Sequence, residues 1–138
     1  MNIIRGILAV VLGLVACFVA KMAVMKFGPS IFPFPDGMNP NNLEDWKTFG
    51  PVLQAKHLVT PFIDHVFGSF FGGLVAALIA ANRKITFAMV IGILHLIGGI
   101  AAAFMIPAPV WFIALDLVVA YIPMAYLGGL IFGGGETR

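Results

Sequence analysis

The sequence predicts an all-α protein that crosses a membrane as an antiparallel bundle of four helices. Three observations lead to this prediction: four long apolar stretches, short connections between the last three, and a composition that is 61% hydrophobic and 10% charged. A helix rises ~1.5 Å per residue and the hydrocarbon core of a bilayer is ~30 Å thick, so one span needs ~20 residues. The stretches of that length are residues 3–25, 61–81, 85–106 and 110–132.

The connections between the apolar stretches set the topology and the number of domains. Residues 82–84 and 107–109 are short enough to force the last three spans into an antiparallel series. The length of 138 residues is typical of one domain, so residues 1–138 are predicted to form a single membrane domain. A net charge of +2 without a basic run excludes nucleic acid as a partner and leaves the lipid bilayer.

Cys17 is the only cysteine of the chain, so it has no internal disulfide partner. Arg5, the apolar stretch behind it and Leu14-Val-Ala-Cys17 have the order of a lipoprotein signal with a cleavable box. The apolar character continues past Cys17 to Ala20, whereas the apolar region of a signal stops at the cleavage site. We therefore interpret Cys17 as a small thiol packed inside the first span.

Positive charges in the short loops predict that both termini lie in the cytoplasm of a bacterial inner membrane. Cytoplasmic loops are enriched in Lys and Arg. The tight turn between the second and third spans contains Arg83 and Lys84, and Arg5 and Arg138 fall on the same side. The lysines on the opposite side lie near acidic residues, so they contribute less to the positive-inside comparison. These opposite charges are Lys26, Lys47, Lys56, Asp36, Glu44 and Asp45.

Residues 27–57 are the only polar segment of useful length, and we place them outside the membrane. Their prolines and glycines exclude a long regular helix. Asn42 is expected to cap a short helix that runs through Thr48. The aromatic side chains of the segment fit two interpretations: they rest on the membrane surface, or the segment covers the ends of the helices. These aromatic residues are Phe32, Phe34, Trp46 and Phe49.

Small residues recur at every fourth position in all four spans, which predicts close helix packing. Lipid removes the usual hydrophobic drive between helices, so close backbone approach through small side chains becomes the main packing device. The glycines that we expect at such contacts are Gly68, Gly72, Gly73, Gly99 and Gly129. Stripes on all four spans exceed the obvious needs of a monomer. They therefore favour a protein partner or a homo-oligomer.

Five ionisable residues lie inside or at the edge of the predicted spans and form the candidate site. Asp64 and His65 precede the two small-residue stripes of the second span by one turn, so they share its packing face. Lys21, His95 and Asp116 lie on the packing faces of the other spans. A charge in the bilayer is costly unless it has a partner or water. We therefore predict one buried polar cluster that contains Lys21, Asp64, His65, His95 and Asp116.

Each of these residues also has a purely structural interpretation. Thr60-Pro61 has the form of an N-cap followed by a first-turn proline, which would place Asp64 where the helix dipole stabilises a carboxylate. Lys21 is long enough to extend its ammonium group to the membrane surface. His95 is typical of a side chain that forms a hydrogen bond between helices. For Asp116, which has no long stem, a partner such as a histidine or Lys21 is expected.

The fourth span contains Pro123, which predicts a kink that frees a carbonyl near Val119. The hydroxyls of Tyr121 and Tyr126 extend the polar path inward. Below them the spans offer glycine, alanine and aliphatic residues, so no continuous proton wire is predicted. The chain contains no HExxH or CxxC spacing and no GxSxG sequence at Ser69. The sequence therefore predicts no metal, no cofactor and no catalytic residue.

Three runs resemble an uncharacterised group of short four-span bacterial inner-membrane proteins. They are Pro61-Phe-Ile-Asp-His-Val-Phe-Gly, Ala77-Leu-Ile-Ala-Ala-Asn-Arg-Lys and Ile106-Pro-Ala-Pro-Val-Trp-Phe-Ile-Ala-Leu-Asp-Leu. The resemblance covers most of the chain. It implies the four-span topology and a bacterial setting, and it implies no substrate, cofactor or catalytic residue.

Three functional hypotheses follow from the sequence. The first, which the small-residue stripes favour, is a non-enzymatic membrane protein that acts by helix association, as an accessory subunit of a membrane complex or as a homo-oligomer. The second is a proton-coupled transporter or channel for a small solute or ion that uses the Asp/His cluster. A membrane enzyme that uses the same cluster at the outer mouth of the bundle ranks third, and a bound metal or a pocket under residues 27–57 would favour it.

Overall fold

The computed structural model describes residues 2–137, and the regular structure in this range is helical, with no strand. Its α-helices are α1 (Ile3–Phe27), α2 (Leu43–Phe49), α3 (Ala55–Ile79), α4 (Lys84–Met105), α5 (Val110–Val119) and α6 (Ile122–Gly133). Four segments are long and apolar enough to cross a membrane: Ile3–Ser30, Ala55–Ile79, Lys84–Met105 and Val110–Glu136. The all-helical class is therefore confirmed. Arg138, one of the charges in the orientation argument, lies outside the described residues.

The start of the second long helix corrects the sequence prediction. Thr60 and Pro61 do not begin α3, because α3 already begins at Ala55 and Pro61 lies in its interior. The helix start is held by Gln54, whose backbone N–H donates to Nδ1 of His57 at 2.9 Å. The predicted span 61–81 therefore marks the apolar part of a helix that extends about two turns further toward residues 28–54. Asp64 lies well beyond the first turn, so the helix-dipole interpretation of this residue does not apply.

The fourth predicted span, residues 110–132, is interrupted. α5 ends at Val119 and α6 begins at Ile122, with Pro123 in the first turn of α6. A proline has no N–H and its ring occupies the space of the preceding turn, so a continuous helix is broken just before it. The predicted kink is confirmed, and it places Tyr121 at the interruption.

The segment of residues 28–54 covers one end of the bundle. Asn42 caps α2 as predicted, because its side-chain oxygen accepts the N–H of Glu44 at 2.9 Å. Trp46 donates its indole N–H to the carbonyl oxygen of Pro40 at 2.8 Å. The Trp46 ring packs against a buried apolar cluster of Leu53, Leu58 and Phe112. For Trp46, this contact favours the interpretation in which the segment covers the helix ends.

α3 is the central helix of the bundle and packs against α1, α4 and α6. Its glycines allow these approaches. A methyl group added at Gly72 would lie 3.0 Å from both Cys17 Cβ and the Gly13 carbonyl oxygen of α1. One at Gly73 would meet the backbone carbonyl of Ala125 in α6. The stripes of α3 are thus in contact with other helices of the same chain.

The end of the bundle opposite residues 28–54 is closed by basic side chains. Nε of Arg5 donates to the carbonyl oxygen of Ile79 at 2.6 Å. Nζ of Lys84 donates to the carbonyl oxygens of Ala77 and Ala80 at 2.9 and 2.6 Å. The last carbonyls of a helix have no partner within the helix. These two side chains supply partners at the end of α3, so their charges also have a structural role.

Candidate functional site

The five ionisable residues of the predicted cluster come together at the end of the bundle that residues 28–54 cover. Each long helical segment contributes to the cluster. Lys21 lies on α1, Asp64 and His65 on α3, His95 on α4 and Asp116 on α5. The contacts form two groups that meet at Asp64 and His65. They also involve Cys17, Ser69 and Tyr121, which were not part of the predicted cluster.

The first group is centred on Lys21. Its ammonium nitrogen lies 3.6 Å from Oδ2 of Asp64 and donates to Nε2 of His95 at 3.2 Å. A lysine ammonium only donates hydrogen bonds, so Nε2 of His95 is an acceptor and the ring hydrogen is on Nδ1. Nδ1 of His95 then donates to the hydroxyl oxygen of Ser69 at 2.8 Å. Cys17 Sγ lies 3.7 Å from the same nitrogen.

The second group is centred on Asp116. Nδ1 of His65 donates to Oδ1 of Asp116 at 2.8 Å, and the hydroxyl of Tyr121 donates to Oδ2 at 3.0 Å. Both carboxylate oxygens therefore have a partner. The other ring nitrogen of His65 lies 3.8 Å from Oδ2 of Asp64, which is too long for a hydrogen bond. His65 thus lies between the two groups. Its Nδ1 is hydrogen-bonded to Asp116, and its Nε2 makes no hydrogen bond to Asp64.

The ring of Tyr121 lies between the imidazole rings of His65 and His95 and contacts both. It is completely buried at the interruption between α5 and α6. Its ring stacks on His65 with centroids 5.3 Å apart and meets His95 edge to face at 4.7 Å. The ring fits because Gly99 has no side chain: a methyl group there would overlap the phenol. The sequence prediction used Gly99 as a helix contact, and the structure gives it this more specific partner.

Asp64 is the least satisfied member of the site. The residue is 5% exposed, and among residues 2–137 its Oδ1 has no hydrogen-bond partner. Asp116 is 6% exposed but is fully hydrogen-bonded. Burial of an unpaired carboxylate oxygen costs free energy. Asp64 is therefore the member of the site with an unsatisfied acceptor, Oδ1, and protein atoms cover this oxygen.

The site forms the polar floor of a cavity of about 380 Å³. Its polar lining comes from Lys21, Asp64, His65 and Asp116, and Asn41 and Trp46 form part of the cover. The remaining walls are mostly apolar and include Phe18, Met22, Leu58, Ala102, Ala103, Ile106, Phe112, Ile113 and Leu117. A concave apolar cavity of this size with a few convergent polar groups is the usual form of a small-molecule site.

The contacts of Ser69 and Cys17 with His95, and the place of Trp46 over the cavity, were not predicted from the sequence. Ser69 and Cys17 were expected to pack between helices, and a nucleophilic Ser69 and a lipoprotein signal at Cys17 were considered and set aside. Their signal was present, since Ser69 lies one turn from His65 and Cys17 one turn from Lys21. Trp46 had no comparable signal, because its place over the cavity depends on how residues 28–54 fold back.

The arrangement limits the chemistry of the site. In residues 2–137 no group of three or more His, Cys, Asp or Glu side chains is arranged to hold a metal ion. Ser69 is completely buried, so its hydroxyl is a hydrogen-bond acceptor for His95 and has no open approach for a substrate. The accessible groups are an ammonium, an imidazole and two carboxylates. They are suited to binding a polar head group and to exchanging protons.

No family model, no curated protein and no solved structure matches this chain.

Proposed function

We propose that the chain crosses a bacterial inner membrane four times, as an antiparallel bundle with both termini in the cytoplasm. Large apolar side chains that point outward support a lipid environment, since water-soluble proteins rarely expose such surfaces. Phe104, Ile3 and Val110 are 89%, 81% and 81% exposed. The contacts of Arg5 with Ile79 and of the Lys84 N–H with Glu136 bring both chain ends to the Arg83–Lys84 turn. Arg5, Arg83 and Lys84 therefore lie at one end of the bundle, and the positive-inside rule supports a cytoplasmic location for that end.

We propose that the function of the protein is to bind a small amphipathic molecule in the cavity on the side opposite the termini. The observation that carries this proposal is the form of the cavity, which has an ionisable floor, apolar walls and a volume of about 380 Å³. Apolar walls favour the hydrocarbon part of a ligand by about 25 cal/mol per Å² that is removed from water. The floor supplies hydrogen bonds to its head group.

The binding test uses the tryptophan over the cavity as a reporter. Trp46 lines the cavity, whereas Trp111 is 52% exposed and is removed by Trp111→Phe. A long-chain alcohol that is brominated close to its hydroxyl is added to the purified variant in detergent, because bromine in contact with tryptophan quenches its fluorescence. We expect quenching of Trp46 that saturates at a low mole fraction of the alcohol.

A matched pair of substitutions on α4 locates the binding. Ala103 lines the cavity, whereas Ala101 is exposed and lies off the cavity-lining face. Ala103→Phe is expected to fill the cavity and weaken binding at least about tenfold, which is 1.4 kcal/mol. Ala101→Phe is expected to leave it unchanged. Quenching that rises linearly with the amount of alcohol, or that is equal in the two variants, would contradict a specific site.

The sequence favoured a function in helix association with a partner or a second copy. The structure gives a different explanation for the small-residue stripes on which that hypothesis depended. The glycines of the stripes that prompted it, Gly68, Gly72, Gly73 and Gly129, are all buried against other helices of this chain. They therefore need no second copy to explain them. We place ligand binding ahead of an accessory-subunit or homo-oligomer role for this reason. An enzyme at the same cavity would first require the binding proposed here.

Proton-coupled transport is the second candidate, and the hydrogen-bonded pair of His65 and Asp116 on the cavity floor supports it. Below the site, the buried residues Gly72, Gly73, Ala76 and Ile91 form a close-packed layer. A carrier must open that layer during its cycle. In proteoliposomes, a solute flux driven by a pH gradient is expected to be lost in Asp116→Asn and retained in the surface variant Asp45→Asn. An equal flux in both would remove Asp116 from the mechanism.

A further inference from the structure

We propose that the ligand of the cavity is a long-chain alcohol or amine that enters sideways between α1 and α4 and donates a hydrogen bond from its head to Asp64. This inference rests on the binding function proposed above and adds the chemical class of the ligand and its route. It combines two features of the structure: the open edge of the cavity and the incomplete hydrogen bonding of its floor.

The open edge of the cavity lies between α1 and α4. Phe18 and Met22 of α1 line the cavity and are nevertheless 65% and 57% exposed, so they stand at its rim. The α4 residues that line the same cavity include Gly99, Ala102 and Ala103, which have little or no side chain. Small residues on one side and flexible or flat apolar ones on the other leave room for a hydrocarbon chain.

The two helices touch below this edge and close the floor. A methyl group at Gly13 of α1 would lie 2.8 Å from Ile91 Cδ1 of α4. One turn to two turns further along, Cys17 and Lys21 of α1 contact His95 of α4. The cavity begins above these contacts. In a bilayer this opening faces the acyl chains, so a lipid-soluble molecule reaches the floor without passing the cover at Trp46.

The charge of the floor selects the head group. Lys21 contributes one positive charge against the two negative charges of Asp64 and Asp116, and His95 is neutral because its Nε2 accepts from Lys21. With a neutral His65, the floor has a net charge of −1 and therefore disfavours a carboxylate or phosphate head.

The incomplete bonding of Asp64 selects a hydrogen-bond donor. Oδ2 faces Lys21 and His65, whereas Oδ1 has no partner among residues 2–137 and is covered by protein atoms, so the carboxylate must turn to offer an oxygen to a ligand in the cavity. A hydroxyl or ammonium head supplies the missing donor, whereas an ester has none. An ammonium head adds a charge that offsets the negative floor. The shared chemistry is therefore donation to a buried carboxylate.

The head-group test compares four molecules with one chain: oleyl alcohol, oleylamine, oleic acid and methyl oleate. Each competes with the brominated alcohol for Trp46 in the Trp111→Phe protein. We expect the alcohol and the amine to displace the brominated probe at concentrations at least about tenfold lower than the acid and the ester, and the ratio of alcohol to amine identifies the preferred donor. An acid or ester that competes equally well overturns the assignment of the head group but leaves the binding function intact.

Variants of Asp64 test whether that carboxylate is responsible. Asp64→Asn keeps the shape and removes the charge, so the affinity of the amine is expected to fall relative to that of the alcohol. The paired change Lys21→Met with Asp64→Leu removes the acceptor together with its ion partner, and it is expected to abolish discrimination between alcohol and ester. If discrimination persists in both variants, Asp64 is not the acceptor. If no molecule shows saturable binding to the parent protein, the proposed function itself fails.

The route is tested with tryptophan placed at the rim. Phe18→Trp is made in a chain that lacks Trp46 and Trp111, and the probe is an alcohol brominated at mid-chain. We expect saturable quenching at this position, because the chain leaves the cavity beside Phe18. The comparison variant Val118→Trp places the reporter at an α5 position that is 69% exposed and outside the cavity lining. Equal quenching at both positions overturns the lateral route.

Discussion

Gly73→Leu is expected to destabilise the bundle by more than about 3 kcal/mol, because α3 and α6 approach each other through backbone atoms at this point. A Cβ atom at Gly73 would meet the carbonyl of Ala125, and one at Gly128 would meet the carbonyl of Phe70. Each helix therefore places a glycine against the backbone of the other. A flexible side chain can move away from an added methyl group, but a helix backbone cannot move without separating the pair.

The measurement is the thermal unfolding of the purified protein in detergent, followed by circular dichroism. Gly73→Ala adds only the methyl group and is expected to give part of the loss. Gly98→Leu is the matched control, since a Cβ at Gly98 has nothing within 4 Å and a leucine favours a helix over glycine. An unfolding temperature of Gly73→Leu equal to that of Gly98→Leu would show that α3 and α6 are not in close contact.

The fold was predictable wherever the signal is local. The presence of four long apolar helical segments, the cap at Asn42 and the break before Pro123 depend on local sequence, and the structure confirms all three. The start of α3 was predicted wrongly at Thr60-Pro61, because the first residue of the apolar stretch was taken as the first residue of the helix. The helix continues through the polar residues Lys56 and His57, so hydropathy located the membrane-like part of α3 rather than its first residue.

The site was predictable only as far as helix faces determine it. The four-residue period placed Asp64 and His65 on the packing face of α3, and both have partners on neighbouring helices. The contact of Ser69 with His95 depends on how far α4 is shifted along α3, which no local pattern reports. The position of Tyr121 between two imidazoles depends on the geometry of the α5–α6 interruption, since an unbroken helix would point it elsewhere.

Lys21→Met is the second substitution with a large expected effect, a destabilisation of about 3 kcal/mol. The change keeps most of the length and apolar contact of the side chain and removes the ammonium. Asp64, which is 5% exposed, then loses the cation 3.6 Å away, and His95 loses the donor to its Nε2. Breaking a buried pair costs 3–5 kcal/mol in general, and the 31% exposure of the Lys21 side chain places this pair at the low end.

Two comparison variants separate the loss of the ion pair from a general effect of removing a lysine. Lys26→Met makes the same change at an exposed position at the end of α1 and is expected to shift the free energy of unfolding by less than about 0.5 kcal/mol. Lys21→Met with Asp64→Leu removes both charges and is expected to return to within about 1 kcal/mol of the parent protein, because apolar replacement of a whole buried pair is often neutral. A double variant no more stable than Lys21→Met alone would mean that the ammonium acts through His95 and not through Asp64.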